Sequence, residues 1–195
     1  ILDSLDSHKK LVDLKKLDDE FQLDIRYAST NNFMRSKFYK NERAFFNMSA
    51  ADRLIEAKND LKELGYGIII YDAYRPWFVT KMFWEGTPEN LKHFVANPEN
   101  GSSHNKGCAI DIGLYDIETG ESIVMISGYD EFTERAYPNY MGGSKKQRDI
   151  RDMLIKVMER NDFTVYEYEW WHFNYNGCDS GIMNYSFEEL DSISS

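Results

Sequence analysis

The chain has 195 residues, 42% of them hydrophobic and 15% aromatic, with a formal charge of −10. That is enough apolar material for the sizeable core of one domain over residues 1–195, and it excludes a largely disordered chain. The acidic balance disfavours nucleic acid and anionic membrane surfaces, which reward a basic face. No apolar run reaches the length of a bilayer span.

The opening Ile1-Leu2-Asp3-Ser4 lacks an initiating Met and the basic and apolar regions of a secretory signal. The expectation is a cytoplasmic protein, with the periplasm open because of the missing Met. Within residues 1–22 a short peripheral helix is expected over 8–22, from apolar positions at Leu11, Leu14, Leu17 and Phe21. Residues 24–27 read as extended, running into the polar loop 29–32.

Ser49 is a suitable N-cap for a helix over 50–64, with Leu54, Ile55, Leu61 and Leu64 as its buried stripe and Gly65 as its stop. Gly67 to Asp72 reads as a central strand. Pro76 suits the first turn of a helix running through Trp84, and 86–106 as a polar loop. Residues 107–115 alternate as a strand, with Asp111 on the face opposite Cys108, Ile110, Ile112 and Leu114. Asp116 to Gly120 is a turn. The strongest helical pattern is 144–160, where Ile150, Met153, Leu154, Val157 and Met158 share one face. Strands follow at 163–166 and 171–175. Helices bracketing short strands without regular alternation predict an α+β fold: a small central, mainly antiparallel sheet flanked by helices.

Two stretches carry chemistry. Ser102-Ser103-His104-Asn105-Lys106-Gly107-Cys108-Ala109-Ile110-Asp111 and Glu169-Trp170-Trp171-His172 together offer two imidazoles, a ligand carboxylate and a spare carboxylate. A catalytic zinc takes three N/O ligands and keeps a position open for water, with a base nearby. His104 and Asp111, seven apart, cannot share one helix face or one straight strand, so a loop ligand followed by a strand ligand is expected, with Gly107 at the bend. His172 would complete the set on the sheet face. Glu169 and His172, three apart, would face opposite sides of a straight strand, so Glu169 is expected on a bend before it. Arg75 could steady an oxyanion, although its spacing alone favours a structural ion pair with Asp72. For Cys108 and Cys178, the burial habits of unpaired cysteine favour two buried thiols. A disulfide beside the site is the alternative, and would imply an oxidising compartment.

The chain resembles the VanX-type D-alanyl-D-alanine dipeptidases, zinc enzymes related to bacterial zinc D,D-carboxypeptidases. Ser102, His104, Gly107, Ala109 and Asp111 meet the pattern Ser-x-His-x-x-Gly-x-Ala-x-Asp. Glu169, Trp171 and His172 meet Glu-x-Trp-His, and Tyr74-Arg75-Pro76 meets Tyr-Arg-Pro. Met125 to Phe132 looks like the family stretch ending in aromatic-Asp-x-Phe, and Asp24 to Ala28 with Asn32-Phe33 looks like its amino-terminal motif. The resemblance implies one Zn2+ held by His104, Asp111 and His172, with Glu169 as base and then acid. It also implies that Arg75 steadies the transition state, Asp130 binds the free ammonium of a small D,D-dipeptide, and Ser102 lines the pocket. Met34-Arg35 departs from the small residue and glycine common in relatives, and the stretch between 75 and 104 is shorter than in some. Alternatives are a zinc D,D-carboxypeptidase acting on longer peptidoglycan peptides and a zinc-stabilised, non-catalytic binding module.

Overall fold

A computed structural model describes residues 7–193; residues 1–4, inspected above for a signal, lie outside them. After a 3-10 turn at Ser7–Lys10 come β1 (Leu11–Asp13), α1 (Leu14–Leu17), β2 (Gln22–Leu23), β3 (Phe45–Asn47), α2 (Met48–Glu63), β4 (Tyr66–Asp72) and α3 (Trp77–Gly86). Then follow β5 (Ala109–Asp116), α4 (Lys145–Arg160), β6 (Phe163–Tyr166), β7 (Glu169–Tyr175) and α5 (Phe187–Ile193). The main sheet has the order β2-β4-β5-β7-β6 and is antiparallel except for the β2–β4 pair. The α+β architecture is as expected.

Burial explains the layering. Ile68, Ile70, Ile110, Ile112, Leu114 and Phe173 join one apolar cluster with Leu54 and Leu61 of α2 and Leu154 and Met158 of α4. Alternation therefore turns Ile69, Tyr71, Asp111 and Gly113 to the other face. Ser144 caps α4 by accepting from the Gln147 N–H, and the Gln147 side chain returns the bond to the Ser144 N–H.

Several expectations are corrected. No helix spans 8–22. Asp13 accepts from the N–H groups of Lys15 and Lys16, and Asp18 from that of Glu20. These carboxylates break the segment into short pieces, while Leu11 to Asp13 pair with β3. Leu14 and Phe21 are buried rather than peripheral. α2 is capped by Asn47, not Ser49, and Leu64, its C-cap, is 53% exposed instead of completing the stripe. Pro76 is the N-cap of α3 rather than its first helical residue. Stretch 86–106 is partly helical, with 3-10 turns at Glu89–Phe94 and Ser103–Lys106.

Cys108 and Cys178 form a disulfide, against the expectation of free thiols. The chain leaving β7 turns back, with the Tyr175 N–H on the Cys108 carbonyl at 2.8 Å, and brings the two Cα atoms within 5.8 Å. The strap beyond Cys178 supports the turn that carries His104: the Asn47 amide donates to Ser180 Oγ at 3.0 Å and the Met183 N–H to the Asn105 carbonyl at 2.9 Å. Among the described residues no helix is long and apolar enough to cross a membrane. Replacing both cysteines by serine should cost about 2–5 kcal/mol in urea unfolding; an unchanged midpoint would show that the bridge does not hold the strap.

Candidate metal centre and its cavity

The site is built where the strands on either side of β5 lose regular register. Ile70 pairs with Ile112 but Asp72 with Asp111, so Tyr71 is an extra residue in β4. Such a bulge turns Asp72 to the face that carries Asp111. On the other side Asp111 lies directly opposite His172. β7 is irregular against β6: Tyr166 pairs with Glu169 and Val165 with Phe173, leaving residues 170–172 unmatched. The bend expected before β7 therefore lies inside it. It brings Glu169 and His172 to one side, with Glu169 Oε2 3.7 Å from His172 Nδ1.

His104 sits in the 3-10 turn, whose start is fixed by Ser102 Oγ accepting from the His104 N–H and by Asn105 Oδ1 accepting from the Ser102 N–H. Gly107 ends the turn at φ 67°, the left-handed conformation expected of the bend. The Asn105 amide donates to the Arg75 carbonyl and to Thr80 Oγ1, both at 2.9 Å, locking this turn to the end of β4.

The imidazole environments set their tautomers. His104 Nδ1 is 2.7 Å from the Ala73 carbonyl, and His172 Nε2 is 2.9 Å from Asn174 Oδ1. Both partners are acceptors, so both nitrogens carry the proton. His104 Nε2 and His172 Nδ1 then point bare lone pairs at one another across 3.2 Å. Asp111 Oδ1, buried and without a hydrogen-bond partner, lies 3.3 Å from the first and 3.2 Å from the second. Three electron-rich atoms this close repel unless a cation stands among them. The two-nitrogen, one-oxygen set suits a divalent ion of borderline softness, and these three residues are the candidate metal group among the described residues.

Burial would raise the pKa of Asp111, and its carboxyl is held far below its usual range only by positive charge on the His104 and His172 side, which protonated imidazoles or a metal ion among them would supply. Glu169 goes the other way: burial, then the charges of Asp111 and Asp130, push its carboxyl well above the ordinary value. That is the tuning a proton-transferring carboxylate requires. Arg75 is 8% exposed and binds Asp72 Oδ2 through Nε at 2.9 Å and Nη2 at 2.8 Å, so the ion pair suggested by spacing is present. Burial opposes its charge, but Asp72 dominates and keeps it protonated. Its guanidinium lies 4.8 Å from the centre of the Phe83 ring.

All seven residues singled out from sequence (Ser102, His104, Asp111, His172, Glu169, Arg75, Asp130) line one cavity of about 220 Å³. Asp130, at φ 56°, accepts from the Tyr27 hydroxyl. Withdrawal from water, reinforced by Asp111 and Asp72, raises its pKa to about 7 despite the Tyr27 bond and the attraction of Arg75. Sequence reasoning missed Tyr27 and the aromatic wall of Phe33, Phe83, Phe94 and Phe132, whose neighbouring rings pack 4.8–5.1 Å apart. Phe94 alone lay in a stretch read as a polar loop; Tyr27, Phe33 and Phe132 stand in the motifs that carry the family resemblance, and that was the available signal. It also missed Asn174, which sits two residues beyond His172 and so on the same side of β7.

A lone-pair triad backed by an elevated carboxylate and a buried guanidinium is the site of a metal-dependent hydrolase. The model of peptidase family M15, described as D-ala-D-ala dipeptidase, matches residues 7–191, and the chain belongs to that family. The D-alanyl-D-alanine dipeptidase of Escherichia coli (strain K12) is 30% identical over 164 residues, covering 84% of this chain and 83% of that protein. That of Enterococcus faecium is 32% identical over 171 residues, covering 77% and 83%. A solved zinc-bound D,D-pentapeptidase from a vancomycin-resistance cassette is 13% identical, with a TM-score of 0.43 over 78% of this chain and 85% of that one. A likeness of that degree carries no functional weight.

The elevated carboxyls have a stability consequence. Asp130 (ordinarily 3.8, here about 7) and Glu169 bind protons in the folded state that the unfolded chain has released. The metal-free protein should therefore lose stability as pH rises from about 4 through 7. Its Tm should be lower at about pH 8 than at about pH 5, and a bound divalent ion should narrow the gap. A metal-free Tm that rises over this range would contradict the assignment.

Proposed function

We propose that the chain is a zinc dipeptidase that hydrolyses D-alanyl-D-alanine, with residues 7–191 as one catalytic unit. The observation that carries this reading is the charge count of the cavity. Asp72 neutralises Arg75, leaving Asp111, Asp130 and Glu169 without a cationic side chain of their own in the cavity lining. A divalent ion beside Asp111 and Glu169 and a substrate ammonium beside Asp130 would each favour the ionised form of these carboxyls; the carboxylate of the dipeptide stands outside this pairing. A small cavity that needs a free ammonium suits a dipeptide and disfavours longer wall peptides, whose amino end lies far from the scissile bond.

His104 Nε2, His172 Nδ1 and Asp111 are the zinc ligands in this reading. Zinc, when bound, supplies Lewis acidity to the attacking water and the scissile carbonyl. Glu169 accepts the proton of that water at its carboxylate and returns it to the leaving nitrogen. The Arg75 guanidinium donates to the carbonyl oxygen as negative charge builds there; it is already ordered by Asp72, so little reorganisation is needed. Asp130 accepts hydrogen bonds from the substrate ammonium and so fixes the distance from amino end to peptide bond. Ser102, whose Oγ is held by the His104 N–H, keeps its own proton for a substrate oxygen. The phenylalanine wall excludes water and strengthens these interactions.

The Cys108–Cys178 bridge supports an oxidising compartment such as the periplasm over the cytoplasmic expectation. A binding module with structural zinc has no use for Glu169 and Arg75 in this arrangement.

Metal content measured together with turnover of D,D-, L,D- and L,L-dialanine tests the reading. One zinc per chain and preference for the D,D form are expected; turnover unaffected by complete zinc removal would end it. Glu169→Ala should lower kcat by about 10²–10⁴-fold while zinc stays bound, and near-normal turnover would refute the base. Asp130→Ala should raise KM for the free dipeptide much more than for an amino-blocked one, and equal losses would refute its role.

A further inference from the structure

The loop that presents Asp130 presents a second side chain for which the chemistry above has no use. The Tyr129 hydroxyl donates to Asp111 Oδ2 at 2.7 Å, leaving Oδ1 to face the imidazoles. The same hydroxyl lies 3.3 Å from that of Tyr27, which donates to Asp130. Consecutive side chains of an extended segment point to opposite sides. Residues 129 and 130 instead lie in a turn, with Asp130 at positive φ, and Tyr129 reaches Asp111 while Asp130 reaches Tyr27.

Packing, rather than its own hydrogen bond, fixes where the Tyr129 hydroxyl falls. Its ring stacks on Tyr71 with centroids 4.6 Å apart and meets Trp171 edge-on at 5.4 Å. Tyr71 in turn lies across Gly113, where an added Cβ would come within 2.3 Å of the Tyr71 hydroxyl oxygen. The bulged residue of β4 and the glycine of β5 thus set the position of a donor aimed at the carboxylate of the neighbouring residue pair.

We propose that Tyr129 is a positioning residue that holds the metal-binding carboxylate of Asp111 in place. It occupies Oδ2 of Asp111, so that the carboxylate cannot rotate Oδ1 away from His104 and His172. Groups that orient a metal ligand from behind commonly change metal affinity by one to two orders of magnitude. This inference rests on the zinc dipeptidase reading, and its test separates the two.

Tyr129→Phe keeps the ring and its stacking and removes the one oxygen. Zinc affinity, measured by competition with a chromogenic chelator, should fall about 10–100-fold with an unchanged circular dichroism spectrum. Tyr27→Phe acts only at the Asp130 end, so it should raise KM for the free dipeptide and leave zinc affinity within about twofold. Unchanged zinc affinity in Tyr129→Phe overturns the hold on Asp111. Equal loss of zinc affinity in both variants shows general loosening and also overturns it. A parent protein that binds no zinc and cleaves no dipeptide fails the functional reading itself, independently of either variant.

Discussion

The lone pairs of two imidazoles and a carboxylate are pressed together in a region from which water is largely withdrawn, and much of the surrounding architecture serves to keep them there. Asp111 and His172 are direct neighbours across β5 and β7. His104 is delivered by a turn that Ser102, Asn105 and the disulfide-anchored strap hold in place. Left to themselves, these groups would rotate apart or take up protons. The Ala73 carbonyl and Asn174 prevent the first by holding the far nitrogens. The cost of this arrangement is offset by the apolar cluster on the opposite face of the same sheet, where the isoleucines of β4 and β5 pack under α2 and α4.

Charge then organises the cavity. Arg75 is tied to Asp72, so its donors are ordered before any substrate arrives, and its charge is largely spent on that partner. The remaining carboxylates, Asp111, Asp130 and Glu169, lie close enough to perturb one another in a poorly hydrated space. Such a cavity is tuned to cations. The phenylalanines that line it raise the strength of each of these interactions by excluding water. Membership of the D-alanyl-D-alanine dipeptidase family fits a site that turns buried carboxyls toward a cation.

The legible parts of this chain were those in which one residue type at one spacing has few structural solutions. Ile150 through Met158 repeat at helical spacing and form the buried face of α4, and the alternating stretch 107–115 forms β5 from Ala109 onward. His104, Gly107 and Asp111 required a turn followed by a strand, and that is their conformation. What escaped the sequence depended on register or on long-range return of the chain. Nothing local in Glu169 to His172 reveals that three residues of β7 go unmatched against β6, and nothing local in Cys178 shows that the chain beyond β7 returns it to Cys108. Residues 8–22 misled because leucines at helical spacing also fit a segment broken by Asp13 and Asp18, whose side chains compete for backbone N–H groups. Tyr27 and Tyr129 are ordinary aromatics in sequence and become notable only when their hydroxyls meet between two carboxylates.

The account turns on one cation at one place. Crystals grown with stoichiometric zinc, measured on both sides of the zinc absorption edge, would locate it directly. A single anomalous peak per chain among His104 Nε2, His172 Nδ1 and the Asp111 carboxylate is the expected result. Well-ordered crystals without density there, or with the ion bound only elsewhere on the acidic surface, would contradict the account.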